Sequence, residues 1–136
     1  MTLAGAGLVA RAFLLTLLLV GRQSATAPRK GGNPEAAKIK NPVAATPESA
    51  AAGKRLYQRL CIRCHGSGGK GDGEAAVGAE PADLTSGRLT FGSTDGEIYA
   101  SIREGTSKDM EGYAERISET DTWNVVNYLR SLAAKR

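Results

Sequence analysis

The segment Cys61-Ile62-Arg63-Cys64-His65 constrains this chain more than any other feature of its sequence. Two cysteines separated by two residues and followed at once by a histidine form the pattern of covalent haem attachment. On one helical turn, the two thiols can reach both vinyl groups along one edge of a porphyrin. The histidine then lies beneath the ring with a nitrogen directed at the iron. The sequence therefore predicts one covalent haem c, attached through Cys61 and Cys64 and ligated by His65.

Three other uses of this cysteine pair are less compatible with the rest of the chain. A structural zinc site usually takes four Cys or His ligands, and the whole chain holds two Cys and one His. Zinc would therefore need a carboxylate or a second chain. A thioredoxin-like redox pair requires a βαβ pattern around the motif, and the sequence shows none. A disulfide between Cys61 and Cys64 would close a very short, strained ring. Covalent haem is the favoured interpretation.

The second axial ligand can be approached by elimination. His65 is the only histidine, so a second histidine from the same chain is excluded. The methionines are Met1, the first residue, ahead of the apolar run at the N-terminus, and Met110, which lies in a polar loop over residues 105–113. Met110 is therefore the predicted sixth ligand, with an open or lysine-ligated iron as the alternative. A methionine would raise the reduction potential and close the iron to outside ligands, which favours electron transfer over bond making.

The N-terminal part of the chain differs from the rest in composition. An apolar run over residues 12–21 follows Arg11 and has the length of a signal-peptide core, short of the ~20 residues needed to span a bilayer. Ala25-Thr26-Ala27 offers a cleavage site. Residues 1–27 are thus predicted to be a signal peptide or an N-terminal signal anchor. The protein is accordingly expected to be periplasmic or otherwise exported, and the anchor could tether it to the membrane. Residues 28–46 are rich in Pro, Gly, Ala, Asn and Lys and are predicted to form a flexible basic linker.

The charge of the chain belongs mainly to this N-terminal part. The net charge is +4, but residues 1–46 carry six basic side chains against Glu35 alone. The remaining domain, residues 47–136, is close to neutral, so the high isoelectric point does not indicate a nucleic-acid partner. Aromatic residues make up only 5% of the chain. A buried haem would supply apolar volume that so small a core otherwise lacks.

Helix signals account for most of the domain. Thr46 can cap a first helix that runs into the haem motif. Thr94 and Glu97 have the spacing of a capping box, and Ser118 with Asp121 opens a last helix with apolar residues at helical spacing. No segment alternates in the way that a half-buried strand does. The predicted fold class is all-α.

The chain from about residue 49 to residue 132 resembles a class I monohaem cytochrome c, close to the bacterial modules of oxidase-linked and other respiratory complexes. The shared features, besides the haem motif, are Gly53 and Tyr57, the glycines over 66–73, Pro81-Ala82-Asp83-Leu84-Thr85, the loop from Gly105 to Met110, and Trp123, Tyr128 and Leu129. The chain departs from the family pattern in two ways. Glu111 follows Met110, where members often have proline, and the loop from Gly105 to Met110 is a few residues longer than is usual in the family.

The resemblance implies a small cytochrome c fold in which the N- and C-terminal helices cross over the covalently bound haem. Gly53 would lie at the crossing, where any Cβ would push the helices apart. A backbone carbonyl near Pro81 would accept a hydrogen bond from His65 Nδ1. Leu84, Ile102 and Tyr113 would contact the haem, with an ordinary core position as the alternative for each.

The resulting functional prediction is electron transfer by a haem that cycles between ferric and ferrous iron in a respiratory or other periplasmic redox chain. The chain would then be an electron carrier rather than an enzyme. Its partners would be redox proteins such as an oxidase, reductase or dehydrogenase complex, of which it could be a subunit. One alternative is an open-site haem protein with small-gas-binding or peroxidase-like activity. Another is a structural or sensory subunit whose haem responds to redox state.

Overall fold

The computed structural model describes residues 24–134, and the first 23 residues of the predicted signal segment lie outside the described range. Along the described chain, the elements are α1 (Pro34–Ala37), α2 (Pro47–Leu60), α3 (Ile62–His65), α4 (Asp95–Glu104), β1 (Gly105–Ser107), β2 (Met110–Glu111) and α5 (Glu119–Ala133). The fold is helical with very little strand, which confirms the predicted class. No helix within residues 24–134 is long and apolar enough to cross a membrane.

The three longer helices begin at the residues that the sequence predicts. The side chain of Thr46 accepts a hydrogen bond from the backbone N–H of Ser49 at the start of α2, and Ser118 does the same for Asp121 at the start of α5. At α4, both halves of the capping box between Thr94 and Glu97 are formed. These contacts satisfy N–H groups that have no partner within their own helix.

Helices α2 and α5 pack directly on one another, and Gly53 lies at their closest approach. A Cβ atom on Gly53 would come within 2.9 Å of the backbone nitrogen of Val125 and closer still to the carbonyl of Asn124. The Tyr57 and Tyr128 rings meet edge to face beside this contact, with centroids 5.2 Å apart. Tyr57, Val125 and Tyr128 are all buried. The predicted role of Gly53 is therefore confirmed.

The loop after α4 contains a short hairpin that the sequence did not predict. β1 and β2 pair antiparallel, with Gly105 opposite Glu111 and Ser107 opposite Met110. Strands of three and two residues are too short for alternation of polar and apolar residues to be recognised. The hairpin places Met110 on a hydrogen-bonded strand rather than in an irregular loop.

The segment that the sequence predicts to be a flexible linker, residues 28–46, is packed against the helical domain. Asn33 is buried, and its side-chain amide donates to the carbonyls of Ala25 and Ala27 at 3.1 and 2.6 Å. The backbone N–H of Asn33 donates to Glu97 at 2.8 Å. Ala36 of α1 is fully buried. The side chains of Ile39 and Val43 also pack against the hydrophobic core. The structure therefore differs from the expected flexible linker, because hydrogen bonds and apolar contacts both attach this segment to the domain.

A second asparagine fixes the end of the same segment. Asn127, buried on α5, donates from its side chain to the carbonyls of Val43 and Ala44, both at 3.2 Å, and to Ser49 Oγ at 2.8 Å. Its own oxygen accepts from Asn41 at 2.8 Å. Every polar atom of this side chain is thereby used to hold the chain that enters α2, as a buried amide requires.

Candidate haem site

A cavity of about 400 Å³ opens between the haem motif, the chain over residues 79–92, α4 and the hairpin. Cys61, Cys64 and His65 line it, and so does Met110. Most of the remaining wall is apolar, contributed by residues such as Leu60, Phe91, Ile98 and Leu129. A large, mainly apolar cavity with two thiols, an imidazole and a thioether is a suitable environment for a c-type haem. The residues present therefore fit the cofactor that the sequence predicts.

Backbone hydrogen bonds hold the haem motif in a helical turn that follows directly on α2. The N–H of Cys61 donates to the carbonyl of Tyr57 at 2.9 Å, and the N–H of His65 donates to the carbonyl of Cys61 at 2.9 Å. Both thiols are free. Burial, with a smaller contribution from neighbouring Cys64, raises the pKa of the Cys61 thiol to about 12. This thiol is therefore neutral at ordinary pH and compatible with the apolar wall.

The glycine-rich chain after the motif packs closely against the motif itself. The N–H of Gly73 donates to the carbonyl of Cys64 at 3.1 Å, and the N–H of Gly71 donates to that of His65 at 3.0 Å. A Cβ atom on Gly73 would come within 2.6 Å of the carbonyl carbon of Cys64. Glycine is required here because the loop backbone lies directly on the motif.

His65 is oriented by a backbone carbonyl on the neighbouring chain. Its Nδ1 lies 3.3 Å from the carbonyl oxygen of Ala82, which can only accept, so Nδ1 is the donor. The accepting residue is Ala82, one position beyond Pro81, and Pro81 itself lines the cavity. Burial lowers the pKa of His65, and the carbonyl of Ala82 opposes this effect only in part. A neutral ring with Nδ1 protonated leaves Nε2 with the lone pair that a metal ligand needs.

Met110 reaches the same cavity from β2, whereas His65 reaches it from α3. The backbone N–H of Met110 is 3.2 Å from Ser107 Oγ, which closes the turn between the strands. The hairpin thus fixes the backbone of Met110 through its pairing with Ser107 and through the Ser107 hydroxyl. His65 and Met110 are 45 positions apart in sequence, and they bring an imidazole and a thioether to the same cavity.

The other residues that the resemblance places near the haem also line the cavity, namely Pro81, Leu84, Ile102 and Tyr113. The hydroxyl of Tyr113 donates to the carbonyl of Leu60 at 3.1 Å, which ties the chain after β2 to the end of α2. The wall formed by residues 89–92, including Phe91, was not predicted from the sequence. The only signal was the apolar pair Leu89 and Phe91 in an otherwise polar stretch.

The described residues do not support the alternative of a structural zinc site. Within residues 24–134, no three His, Cys, Asp or Glu side chains come together in a way that could hold a metal ion. The cavity offers sulfur and nitrogen groups that suit a haem and its iron instead.

Comparison with known proteins identifies the family. Residues 48–129, more than half of the chain, match the family described as cytochrome c oxidase, cbb3-type, subunit III. The chain belongs to this cytochrome c family. The matched range includes α2, the haem motif, Met110 and most of α5. Members of such families transfer electrons through a c-type haem, and electron transfer with haem c as cofactor is the general function that membership indicates.

Two relatives carry the name cbb3-type cytochrome c oxidase subunit FixP. The FixP of Bradyrhizobium diazoefficiens is 30% identical over 83 residues, which cover 61% of this chain and 27% of the relative. The FixP of Bradyrhizobium sp. strain ORS 278 is 31% identical over 83 residues, with the same coverage. The chain therefore spans about a quarter of the length of these relatives.

Solved structures agree with the fold. A chain of the reducing HAO-like protein complex of Kuenenia stuttgartiensis aligns with a TM-score of 0.63 and 28% identity, covering 69% of this chain and 49% of that one. Cytochrome cL of Methylophaga aminisulfidivorans aligns with a TM-score of 0.55 and 21% identity, covering 64% of this chain and 57% of that one. The helical cytochrome c fold of the chain is thereby established.

Proposed function

We propose that this chain carries one haem, bound covalently by Cys61 and Cys64, with its iron between His65 and Met110. The protein passes single electrons in a respiratory or other periplasmic redox chain. One observation supports the proposal above all others: these four side chains, contributed by the haem motif and the hairpin, line one mainly apolar cavity of about 400 Å³.

Each part of the site has a defined task. Cys61 and Cys64 fix the cofactor in place, and the Ala82 carbonyl, 3.3 Å from His65 Nδ1, holds the imidazole in the orientation that ligation needs. Met110 supplies a soft sulfur ligand, which favours ferrous iron and raises the potential. The apolar walls exclude water. The bound haem would supply a one-electron change at its iron.

The sequence and the relatives support a proposal for the partners and the location. The relatives named FixP are subunits of an oxidase, so the partner proposed here is a larger redox complex, with which the chain associates as a carrier or a subunit. Covalent haem attachment takes place after export, and residues 1–27 supply the export signal or a membrane anchor. The haem domain would then work in the periplasm.

The experiment is a visible absorption spectrum of the oxidised and reduced protein, made in a host with c-haem maturation machinery, followed by a potentiometric titration. Sharp low-spin bands in the reduced form and a reversible one-electron wave are expected. A high-spin spectrum that changes when a small ligand is added would contradict the six-coordinate carrier and favour gas binding or peroxidase-like activity.

A further inference from the structure

The candidate cleavage site of the leader, Ala25-Thr26-Ala27, lies within the part of the chain that the structure describes. Its residues form a turn, in which the N–H of Ala27 donates to the carbonyl of Ser24 at 3.0 Å. The hydroxyl of Thr26 also donates to the carboxylate of Glu104, the last residue of α4, at 3.4 Å. Cleavage after Ala27 would remove this turn from the mature protein.

The side chain of Asn33 attaches the turn to the domain. Asn33 is 1% exposed, and its amide nitrogen donates to the carbonyls of Ala25 and Ala27 at 3.1 and 2.6 Å. A side-chain amide has two N–H bonds to donate, so both are used here. The amide oxygen accepts from the N–H of Glu35 at 3.0 Å, which caps α1. Both acceptors of the buried amide therefore lie on the leader side of the candidate cleavage point.

These contacts require residues from both sides of the cleavage point. A signal peptidase acts during export, before the domain folds, so a chain that begins at Pro28 would fold without the two carbonyls. The backbone N–H of Asn33 would still be held by Glu97, at 2.8 Å, and the amide would have only water to bond to. Because buried polar groups in folded proteins have partners, the place of Asn33 fits a mature chain that keeps residues 24–27.

Pro28 gives a second and independent reason. The small residues Ala25 and Ala27 have the spacing of a cleavage site, but the bond to be cut would join Ala27 to a proline. An extended peptide is commonly bound through its main-chain N–H and carbonyl groups. Proline has no N–H and a fixed φ, so the chain directly after the cut is a poor substrate for such binding.

We propose that the bond between Ala27 and Pro28 is not cleaved and that the leader stays on the mature protein as a membrane anchor. Residues 1–21 have about the length that a membrane span needs, with Arg11 as their one charged side chain. Because residues 28–46 pack on the domain, the haem domain is held close to the membrane. This inference rests on the proposed export of the chain and concerns where its electron transfer takes place.

The test uses the full chain with its own leader, made in a host with c-haem maturation machinery. Membranes are washed with alkaline carbonate, and haem protein from the washed membranes and from the soluble fraction is measured by intact-protein mass spectrometry. The expected species is in the washed membranes and has the mass of the chain from Met1 or Thr2 with one haem. A haem protein that begins at Pro28 or at any other later residue, or a full-length chain released by the wash, would overturn the anchor.

The same measurement separates this failure from that of the proposed function. Covalent haem on a shortened chain contradicts the anchor alone. An exported chain without haem contradicts the proposed haem protein, whatever its first residue is.

A second measurement tests the role of the Asn33 amide in the same full-length holoprotein. Asn33→Asp keeps an oxygen that can accept from Glu35 but removes both donors. Trypsin cuts after the exposed residues Arg29 and Lys30 when the segment opens locally, and the rate of this cut is followed by mass spectrometry. We expect it to rise about tenfold or more in Asn33→Asp, because the open form becomes more populated.

The matched control is Asn41→Asp, which makes the same change in charge at an asparagine that bonds to Asn127 rather than to the leader side. Its rate of cutting after Arg29 and Lys30 should stay within about threefold of that of the unmodified protein. Equal rates in Asn33→Asp and the unmodified protein, or equal rates in the two variants, would show that the amide does not hold residues 24–27 and would overturn the proposal.

Discussion

The carboxylate of Glu97 accepts a 2.8 Å hydrogen bond from the backbone N–H of Asn33, which lies 64 positions earlier in the chain. Its other oxygen accepts from the N–H and the hydroxyl of Thr94, at 2.9 and 2.8 Å. One buried side chain therefore holds both the N-terminal segment and the start of α4. The N–H of Gly31 in turn donates to the carbonyl of Thr90, at 2.7 Å, and Thr90 lines the haem cavity. The N-terminal segment is thus joined to the wall of the site.

Glu97→Gln is expected to lower the free energy of unfolding by about 1–3 kcal/mol. The substitution replaces one buried carboxylate oxygen by an NH₂ group, which would face the N–H and O–H donors that the oxygen now accepts from. Burial by itself raises the pKa of Glu97, but hydrogen bonds from Thr94, Asn33 and Ser93 outweigh it and hold this pKa below its ordinary value of 4.5. The stabilisation by the ionised carboxylate is therefore fully present above pH 4.5 and is lost as the pH falls through the lowered pKa.

Denaturant unfolding of the holoprotein and of the Glu97→Gln variant between pH 3 and pH 7 measures this effect. The difference between the two should be largest at neutral pH and should shrink in the acid range. Glu115→Gln, at an exposed position, is the control and should change little. A difference that stays constant down to pH 3, or an equal effect in the control, would show that Glu97 does not act as an ionised acceptor.

Gly53→Ala is expected to lower the free energy of unfolding by about 1–3 kcal/mol, because the added methyl group would overlap the backbone of α5 at Asn124. Thermal unfolding followed by circular dichroism measures the loss. Gly68→Ala is the matched control, since a Cβ there would meet only the flexible side chain of Lys70, at 3.9 Å. Similar stability of the Gly53→Ala variant and the unmodified protein would contradict the close packing of α2 on α5.

Met110→Ala is expected to leave the haem attached but to open the iron to carbon monoxide and imidazole, because no other methionine lies among the described residues. Binding of carbon monoxide to the reduced protein is followed by absorption spectroscopy. Lys108→Ala, in the same turn, distinguishes methionine from lysine ligation and should leave the spectrum unchanged. Ligand binding that is equally slow in the Met110→Ala variant and the unmodified protein would rule out this residue as an iron ligand.

The parts of the fold that depend on local chemistry could be predicted from the sequence. The caps at Thr46, Thr94 and Ser118 act on N–H groups within three residues, so each is visible as a short pattern. The haem motif is equally local. Met110 was found by elimination, because the chain has so few candidate ligands. The structure then places it in the same cavity as His65.

The parts that depend on distant contacts could not be predicted in the same way. The carboxylate of Glu97 holds the segment 28–46 at the backbone N–H of Asn33, and the Asn127 amide holds it at the carbonyls of Val43 and Ala44. Such contacts leave no periodic pattern in the sequence. The hairpin at Met110 is too short to show alternation. Phe91 joins the cavity wall only because its turn packs beside α4, which is a consequence of the tertiary fold.

The central claim is covalent haem at Cys61 and Cys64, and intact-protein mass spectrometry after acid–organic extraction tests it most directly. The unmodified protein, made with c-haem maturation machinery, should retain the mass of one haem and its visible absorbance under these denaturing conditions. The variant with Cys61→Ala and Cys64→Ala should have the mass of the polypeptide alone. A haem that is extracted from the unmodified protein, or a polypeptide mass without haem, would contradict the claim.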